Sequence, residues 1–445
     1  MGRIMKRYSK YRDSGVEWIG EVPEGWKVLR LGVVGTLMKA NGGNKQDDAD
    51  IGTPCIRYGD LYTTYGLLIR DVRKFINTEA EFDYTSIKYG DILFAASGET
   101  FEEIGKSSVN LTQSHACCGG DIIILRPQNK FDPVFLAYAI GSSSAQAQKS
   151  LMGKGFTVIH IYGDQLRNIV IATPPEQEQK LIGSKIESET ARIDALIEKK
   201  TRFIELLKEK RHAFITHAVT NGIDPNVKMK DSGVEWIGDV PEHWKRRKVA
   251  HAFECAGSGS TPPTGHHEWY TENGMPWITT SELRETVITE TARCVTTNAL
   301  EEFSTLRVYP VGALAIAMYG ATIGRLGVLG IPATTNQACC VLSGEISLRI
   351  RFLYFWLLAF KQQIIELYAA GGGQPNISQE VIKNLRVPAP SLIAQEDIAA
   401  FLDRETARID ALVERCLHSI TLLKERRSAL ITAAVTGQID LREVA

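Results

Sequence analysis

The sequence predicts an α+β protein in which two globular domains are joined by two long antiparallel coiled-coil helices, with an internal pseudo-two-fold repeat. Three observations predict it. A fifteen-residue block occurs twice, a heptad-patterned run occurs twice, and the stretches between them diverge while keeping a common skeleton. Internal repeats of this kind mark one structural unit built more than once.

The first block, Asp13 to Lys27, reads DSGVEWIGEVPEGWK; the second, Asp231 to Lys245, reads DSGVEWIGDVPEHWK, an offset of 218 residues. ETARIDAL at Glu189–Leu196 returns at Glu405–Leu412, and LLKEKRHAFITHAVTNGID (Leu206–Asp224) returns as LLKERRSALITAAVTGQID (Leu422–Asp440), at an offset of 216. Between these blocks Pro54 and Asp60 align with Pro276 and Glu282, and Gly90–Leu93 with Gly312–Ala315, at offset 222. Ala116-Cys117-Cys118 and Ala338-Cys339-Cys340 match at the same offset. The expected divisions are 1–172, a first domain; 173–222, a first helix; 223–389, a second domain; and 390–445, a second helix. A protein with two constant frames and two variable inserts does one job twice, on two different targets.

At 445 residues and 44% hydrophobic content the chain can bury more than one core. A net charge of -1 argues against nonspecific coating of nucleic acid, which needs a basic excess. One local excess stands out: Arg3, Lys6, Arg7, Lys10 and Arg12 precede the first acid, which suits a solvated terminus or a phosphate-contacting arm. The eight cysteines show no C-x-x-C spacing, so reduced, buried thiols are expected and no metal is assigned. His266-His267 lacks a third ligand at metal spacing. Without an apolar leader or an 18-residue apolar run, a soluble intracellular protein is expected.

The run from Glu176 to about Val219 places Ile186, Ile193, Lys200, Leu207 and Phe214 at heptad position a, with Ile182, Glu189, Leu196, Phe203 and Lys210 at d. The second copy keeps that register through Leu402, Ile409, Cys416, Leu423 and Leu430, with Leu412 among the d positions. Such seams pack as a coiled coil, and the helix spans roughly 65 Å at about 1.5 Å per residue. Pro174-Pro175 and Pro388/Pro390 are expected to stop the preceding strands, and Gly222 and Gly437 to end the helices. The antiparallel pair reads either as a ruler between the inserts or as a plain dimerising hairpin. Trp18, Trp26, Trp236 and Trp244 in the duplicated blocks are expected to pack onto the base of each insert.

Each insert, about Val28–Ala172 and Val249–Ala389, mixes short strands with one or two helices. Ile122–Leu125 and Leu166–Ile171 read as strands, Pro133–Tyr138 and Leu353–Tyr368 as helices. The most informative loops are SGETFEEIGKSS (Ser97–Ser108) and YGATIGRLG (Tyr319–Gly327). The first is not a phosphate-binding Walker loop, because Thr100 stands where a glycine is needed before Gly105. Glycines with a threonine and a cation suit close approach to a phosphate or a base edge, or a plain surface turn. The nucleic-acid candidates are therefore Ser97, Glu99, Thr100 and Lys106 in the first loop and Tyr319, Thr322 and Arg325 in the second. To these are added His115, Lys154, Asn336, Gln337, Gln374 and Asn376. Asn and Gln can contact adenine bidentately, although they also cap strands. The run through His160-Ile161 is the counterpart of Gln374–Ile377.

The duplicated DSGVEWIG…VPE…W block, the repeated ETARIDAL…LLKE helix and the divergent inserts together resemble type I restriction-modification specificity subunits over nearly the whole chain. The resemblance implies that each insert is a target recognition domain reading one half of a split, asymmetric DNA site. It implies that the helices set the gap, about one to two turns of DNA, and dock two methyltransferase subunits, with restriction subunits recruited in turn. Ile186, Ile193, Leu196, Leu207, Leu402, Ile409, Leu412 and Leu423 are then the spacer and partner-docking positions. S-adenosylmethionine, ATP and Mg2+ would belong to the partners and none to this chain, which would work in the cytoplasm as a non-catalytic subunit. In keeping with this, Thr173–Glu176 and Thr261–Thr264 lack the amide and aromatic residues of a methyltransferase signature, and no defensible nuclease carboxylate pair is present. The competing reading is a coiled-coil scaffold that bridges two protein partners without reading DNA sequence.

Overall fold

A computed structural model describes residues 6–265, 267–371 and 375–442. The chain divides into two units, Met1–Thr201 with Leu417–Ala445, and Arg202–Cys416. Gln374 and His266 lie outside the described residues.

In the first unit a five-stranded sheet runs in the order Gly35–Lys39, Ile122–Pro127, Ile92–Ala95, Ser107–Asn110, Leu68–Ile69. In the second unit the order is Phe253–Ser258, Cys339–Glu345, Leu314–Ala317, Leu326–Leu329, Thr286–Ile288. In both, only the last pair is parallel. The central strands are apolar at every position because both faces are covered. Ile92 and Phe94 join one core while Leu93 and Ala95 join another, and Leu314/Ile316 and Ala315/Ala317 split the same way. A second, smaller sheet in each unit carries Thr53–Ile56 with Ala116–Cys118, or Met275–Ile278 with Thr334–Thr335.

This pairing corrects one alignment. Ile92 lies opposite Leu125 and Leu314 opposite Leu342, so Ile122 corresponds to Cys339. Cys117-Cys118, which pair with Cys55-Ile56, instead correspond to Thr334-Thr335, which pair with Trp277-Ile278. The two Ala-Cys-Cys runs are therefore not equivalent; small buried residues recur on neighbouring strands, and the true offset here is 217. His115 and Gln337 consequently do not occupy matching places. All eight cysteines are free. Burial pushes the thiols of Cys118, Cys339 and Cys340 up, which keeps them protonated.

The helix Pro133–Ile140 begins with Asp132 accepting from the Phe135 amide, and it stops at Gly141. Ser142 then caps a second helix, Ser143–Met152. In the other unit one helix, Ile350–Tyr368, covers the same span without a break, having no Gly-Ser pair. Leu166–Ile171 is not a single strand. Gly163–Leu166 forms a helical turn, with the Gln165 side chain accepting from the Tyr162 amide, and the strand is Val170–Thr173. Pro388 lies inside its strand, Arg386–Ala389, rather than ending it. A two-stranded ribbon has free edges, which is where a proline without an N–H is tolerated.

The two long helices span Glu176–Asn221 and Leu392–Val435, with Gly222 and Gly437 at positive φ just beyond. Within each unit their segments run antiparallel. Asp194 pairs with Arg427 at 2.9 Å while Ile182 and Ile186 share a core with Ile431 and Val435. Arg211 grips Asp410 through two bonds of 2.9 and 3.2 Å while Ile215 and Ala218 share a core with Ile398 and Leu402. Ile186, Ile193, Leu207, Leu402 and Ile409 are buried and Leu423 is half-buried. The d positions differ from expectation: Leu196 is 43% exposed and Leu412 37%. The chain places Thr190 and Thr406 inward in place of Glu189 and Glu405. Each threonine hydroxyl donates to the carbonyl four residues back (2.8 and 2.6 Å), whereas a carboxylate would enter the seam unpaired.

Each duplicated block forms a hairpin, Tyr11–Asp13 with Glu21–Pro23 and Met229–Asp231 with Asp239–Pro241. Trp26 and Trp244 are buried, and Trp236 packs edge-on against Phe360. Trp18 is an exception at 41% exposure. Of the basic N-terminal residues, Arg3 lies outside the described residues, and three are engaged locally, Arg7 with Glu21, Lys10 with Glu24, and Arg12 with the Trp26 carbonyl.

Candidate nucleic-acid interface

In the first unit, Ser97-Gly98 pairs with Ile159-His160, and the Ser97 hydroxyl lies 3.0 Å from His160 Nδ1. His160 and Lys154 exchange both backbone hydrogen bonds (2.9 and 2.7 Å), closing a turn that carries Gly155 at positive φ and a fully exposed Phe156. Glu99 and Thr100 are exposed at the loop tip, and Lys154 is exposed beside them on the ribbon. Lys106 points inward. Its ammonium donates to the Tyr62 carbonyl at 3.1 Å and lies over the Tyr62 ring, and the Tyr62 hydroxyl in turn donates to the Ser97 carbonyl. His115 sits elsewhere, 2.6 Å from Glu81 in contact with the smaller sheet.

The second unit builds the same frame from other side chains. Tyr319 bridges to Asn376, and Asn376 exchanges both backbone bonds with Ala370 at 2.9 Å. Ala96 and Met318 accept from Ile161 and Ile377 in turn, so Ser97 corresponds to Tyr319, His160 to Asn376, and Lys154 to Ala370. Tyr319 is exposed, and Thr322 closes the glycine-flanked turn by donating to the Tyr319 carbonyl. The Arg325 carbonyl accepts from Ala317 as that of Lys106 accepts from Ala95, so the two cations are equivalent. Asn336 caps its own turn by accepting from the Ala338 amide at 3.2 Å, and Gln337 accepts from the Thr261 hydroxyl. The Met318 amide donates to Ala338, which brings Asn336–Ala338 beside Tyr319 and Asn376.

Sequence reasoning missed a groove of about 650 Å³ next to the Ser97–His160 ribbon, lined by Lys39, Asp121, His160, Tyr162, Asp164 and Arg167 among others. The rings of His160 and Tyr162 stack over it. Phe101, Phe156 and Tyr162 are exposed aromatics around this loop, able to stack on bases. The signal available in the sequence was the pairing of His160 with Asn376; the groove itself depends on strand order. Among the described residues no cluster of His, Cys, Asp or Glu could hold a metal ion, and no helix is long and apolar enough to cross a membrane.

Beneath the loop Lys149 is fully buried, donating to the Gly105 carbonyl at 3.0 Å, and burial pushes its pKa down to about 7. Between about pH 7 and the ordinary lysine value the unfolded chain holds a proton that the folded chain has released, so stability rises with pH across that window. Below pH 7 this benefit is absent. Lys149→Met, which keeps the stem, is expected to raise the melting temperature at pH 6.5 by several degrees, at ~2–4 °C per kcal/mol. It should also flatten the rise toward pH 10. Thermal melts across that range check it, and an unchanged slope would rule Lys149 out as its source.

A duplicated fold that presents unlike polar loops from equivalent positions defines a two-part recognition protein. The model of the type I restriction modification DNA specificity domain matches residues 23–206 and 241–421, and the chain belongs to that family. It is a sequence-specific DNA-recognition subunit of the type I restriction-modification class, and its role is recognition rather than catalysis. The MjaVIII specificity subunit of Methanocaldococcus jannaschii is 24% identical over 438 residues, 95% of each chain. The MjaIX specificity subunit of the same organism is 31% identical over 173 residues, 37% of this chain and 38% of its own. Among solved structures, a chain from a type I restriction-modification system superposes with a TM-score of 0.74 at 17% identity, covering 93% of this chain and 98% of its own. The HsdS subunit of Thermoanaerobacter tengcongensis gives 0.55 at 17% identity, covering 94% and 98%. These likenesses share the fold.

Proposed function

We propose that each unit reads one half of a split, asymmetric duplex target, and that the chain brings two methyltransferase subunits, and restriction subunits with them, to that site. The observation that carries the reading is the matched frame with unlike side chains: Ser97, Lys154 and His160 stand where Tyr319, Ala370 and Asn376 stand. Different donors and acceptors on one backbone select different base edges. Two modest readouts in one chain act together, because the second contact forms at high effective concentration.

The long helices support the partner assignment. The first unit exposes Leu196 and Leu422, and the second exposes Leu412 and Leu206, the same two heptad positions at an offset of 216. Covering each leucine is worth about 1.5–3 kcal/mol at most, and an equal patch in each unit suits two copies of one partner. Leu196→Glu with Leu412→Glu is expected to abolish co-purification of the methyltransferase without lowering the melting temperature. Retention of the partner would exclude these positions. On this reading S-adenosylmethionine, ATP and Mg2+ are bound by the partner subunits and the complex acts in the cytoplasm. The solved neighbour comes from a type I restriction-modification system studied for its complex assembly, which supports assembly with other subunits of such a system.

The experiment is to express the chain with its neighbouring methyltransferase in an unmethylated host and map the modified bases. One split motif with unlike halves is expected. A continuous motif, or the same pattern without this chain, would overturn the reading.

A further inference from the structure

The ribbon that closes the second insert carries charge that the chain does not neutralise. Lys245–Lys248 reads Lys-Arg-Arg-Lys and pairs antiparallel with Arg386–Ala389. Residues directly opposite on a ladder share a face, so Lys248 stands beside Arg386, with Arg246 two residues along. Like charges in that relation destabilise a ribbon. Arg246 and Arg386 are exposed and Lys248 is half-buried. Several other cations of this unit pair with acids, Arg211 with Asp410, Arg349 with Glu345 and Glu396, Arg351 with Asp403, and Lys361 with Glu285. Arg246, Lys248 and Arg386 have no ion pair among the described residues.

The first unit supplies the comparison. Its ribbon, Lys27–Arg30 with Val170–Thr173, has the same register but places Val28 where Arg246 stands and Val170 where Arg386 stands. The fold therefore does not need these two arginines.

We infer that Arg246, Lys248 and Arg386 together bind phosphates of the nucleic-acid backbone, a sequence-independent three-cation contact made by the second unit, of which the first unit keeps only Arg30 in the place of Lys248. This rests on the DNA-recognition reading above. Arg246 and Lys248 are about 7 Å apart along the strand, and Lys248 and Arg386 about 5 Å apart across it, so the three can engage neighbouring phosphates. Three cations gathered by strand register fit a nucleic-acid surface better than the centre of a protein interface.

Each phosphate neutralised contributes about 0.9 to the slope of log K against log salt. Arg246→Val with Arg386→Val installs the first unit's own residues; Arg246→Gln with Arg386→Gln is the polar counterpart. Either pair is expected to reduce the slope by about 2 between about 50 and 200 mM KCl. The measurement is fluorescence anisotropy on a random-sequence duplex, using the full chain co-purified with its methyltransferase. The methylated motif should stay the same while affinity for target and random duplexes falls by a common factor. An unchanged slope in both variants overturns the inference. So does loss of the methyltransferase at an unchanged slope, which would assign the ribbon to an acidic protein surface. A wild-type methylation pattern independent of this chain would instead sink the recognition reading, because the slope is read on random duplex.

Discussion

A chain carrying a second copy of Val28–Ala172 in place of Arg246–Pro388 is expected to direct methylation to a target whose two halves are the same, with the original second half lost. The effect is all-or-none at the level of the motif, and the geometry of the graft favours it. Each insert leaves and re-enters the constant frame through adjacent strands, Lys27 opposite Thr173 and Lys245 opposite Ala389. The helix beneath offers both inserts the same supports. Gln179 and Gln395, buried and 216 residues apart, accept from the backbone amides of Asp132 and Arg349 and donate to the carbonyls of Pro174 and Pro390. Glu187, which pairs with Arg70 of the first insert, is matched by Asp403, which pairs with Arg351 of the second. A transplanted insert thus meets the partners it left. Base-resolution mapping of the modified DNA checks the outcome, and persistence of the original second half would show that it is read elsewhere.

Asp91→Ala is expected to destabilise the first unit by about 1.5–3 kcal/mol, because it removes the buried acceptor of two charged hydrogen bonds from the part-exposed Arg126. Asp91 is 1% exposed and accepts from Arg126 Nε and Nη2 at 2.9 and 2.7 Å, and from the Lys88 amide at 2.8 Å. Strand pairing places Ala313 and Ser343 of the second unit at these two positions. The same sheet is therefore stable without the ion pair. Asp91→Ala with Arg126→Ser should accordingly recover a large part of the loss. Denaturant titrations of the two single variants and the double complete the cycle. If the double variant is as unstable as the sum of the singles, the coupling assigned to this pair is wrong. In cells the single variant should lose the methylated motif at temperatures where the double retains it.

Much of this architecture was legible because its signals are local. The runs Ile92–Ala95 and Ile122–Leu125 are apolar at every position and fall on the central strands. Asp132-Pro133 announces a helix start that the structure honours. The a positions Ile186, Ile193, Leu207, Leu402 and Ile409 face inward as the periodicity demands. The errors arose where two local choices were equally good. From Ile186 the seam could continue at Glu189 or Thr190, and only the opposing helix settles which side chain is buried. Ala-Cys-Cys matched Ala-Cys-Cys, and only strand pairing showed that the two runs belong to different sheets. Lys106 looked free to meet a phosphate until Tyr62, forty-four residues earlier, was seen to hold it.

The duplication, the two kinds of segment and the membership of a recognition family follow from residue order alone, because identity between distant blocks and periodicity within them need no third dimension. The recognition surface is different in kind. Ser97, Lys154 and His160 meet only because two short strands pair across a sheet edge, and Arg246, Lys248 and Arg386 share a face only through cross-strand register. Burial and hydrogen bonding between residues far apart in the chain depend on which elements become neighbours, and only the folded chain makes that choice.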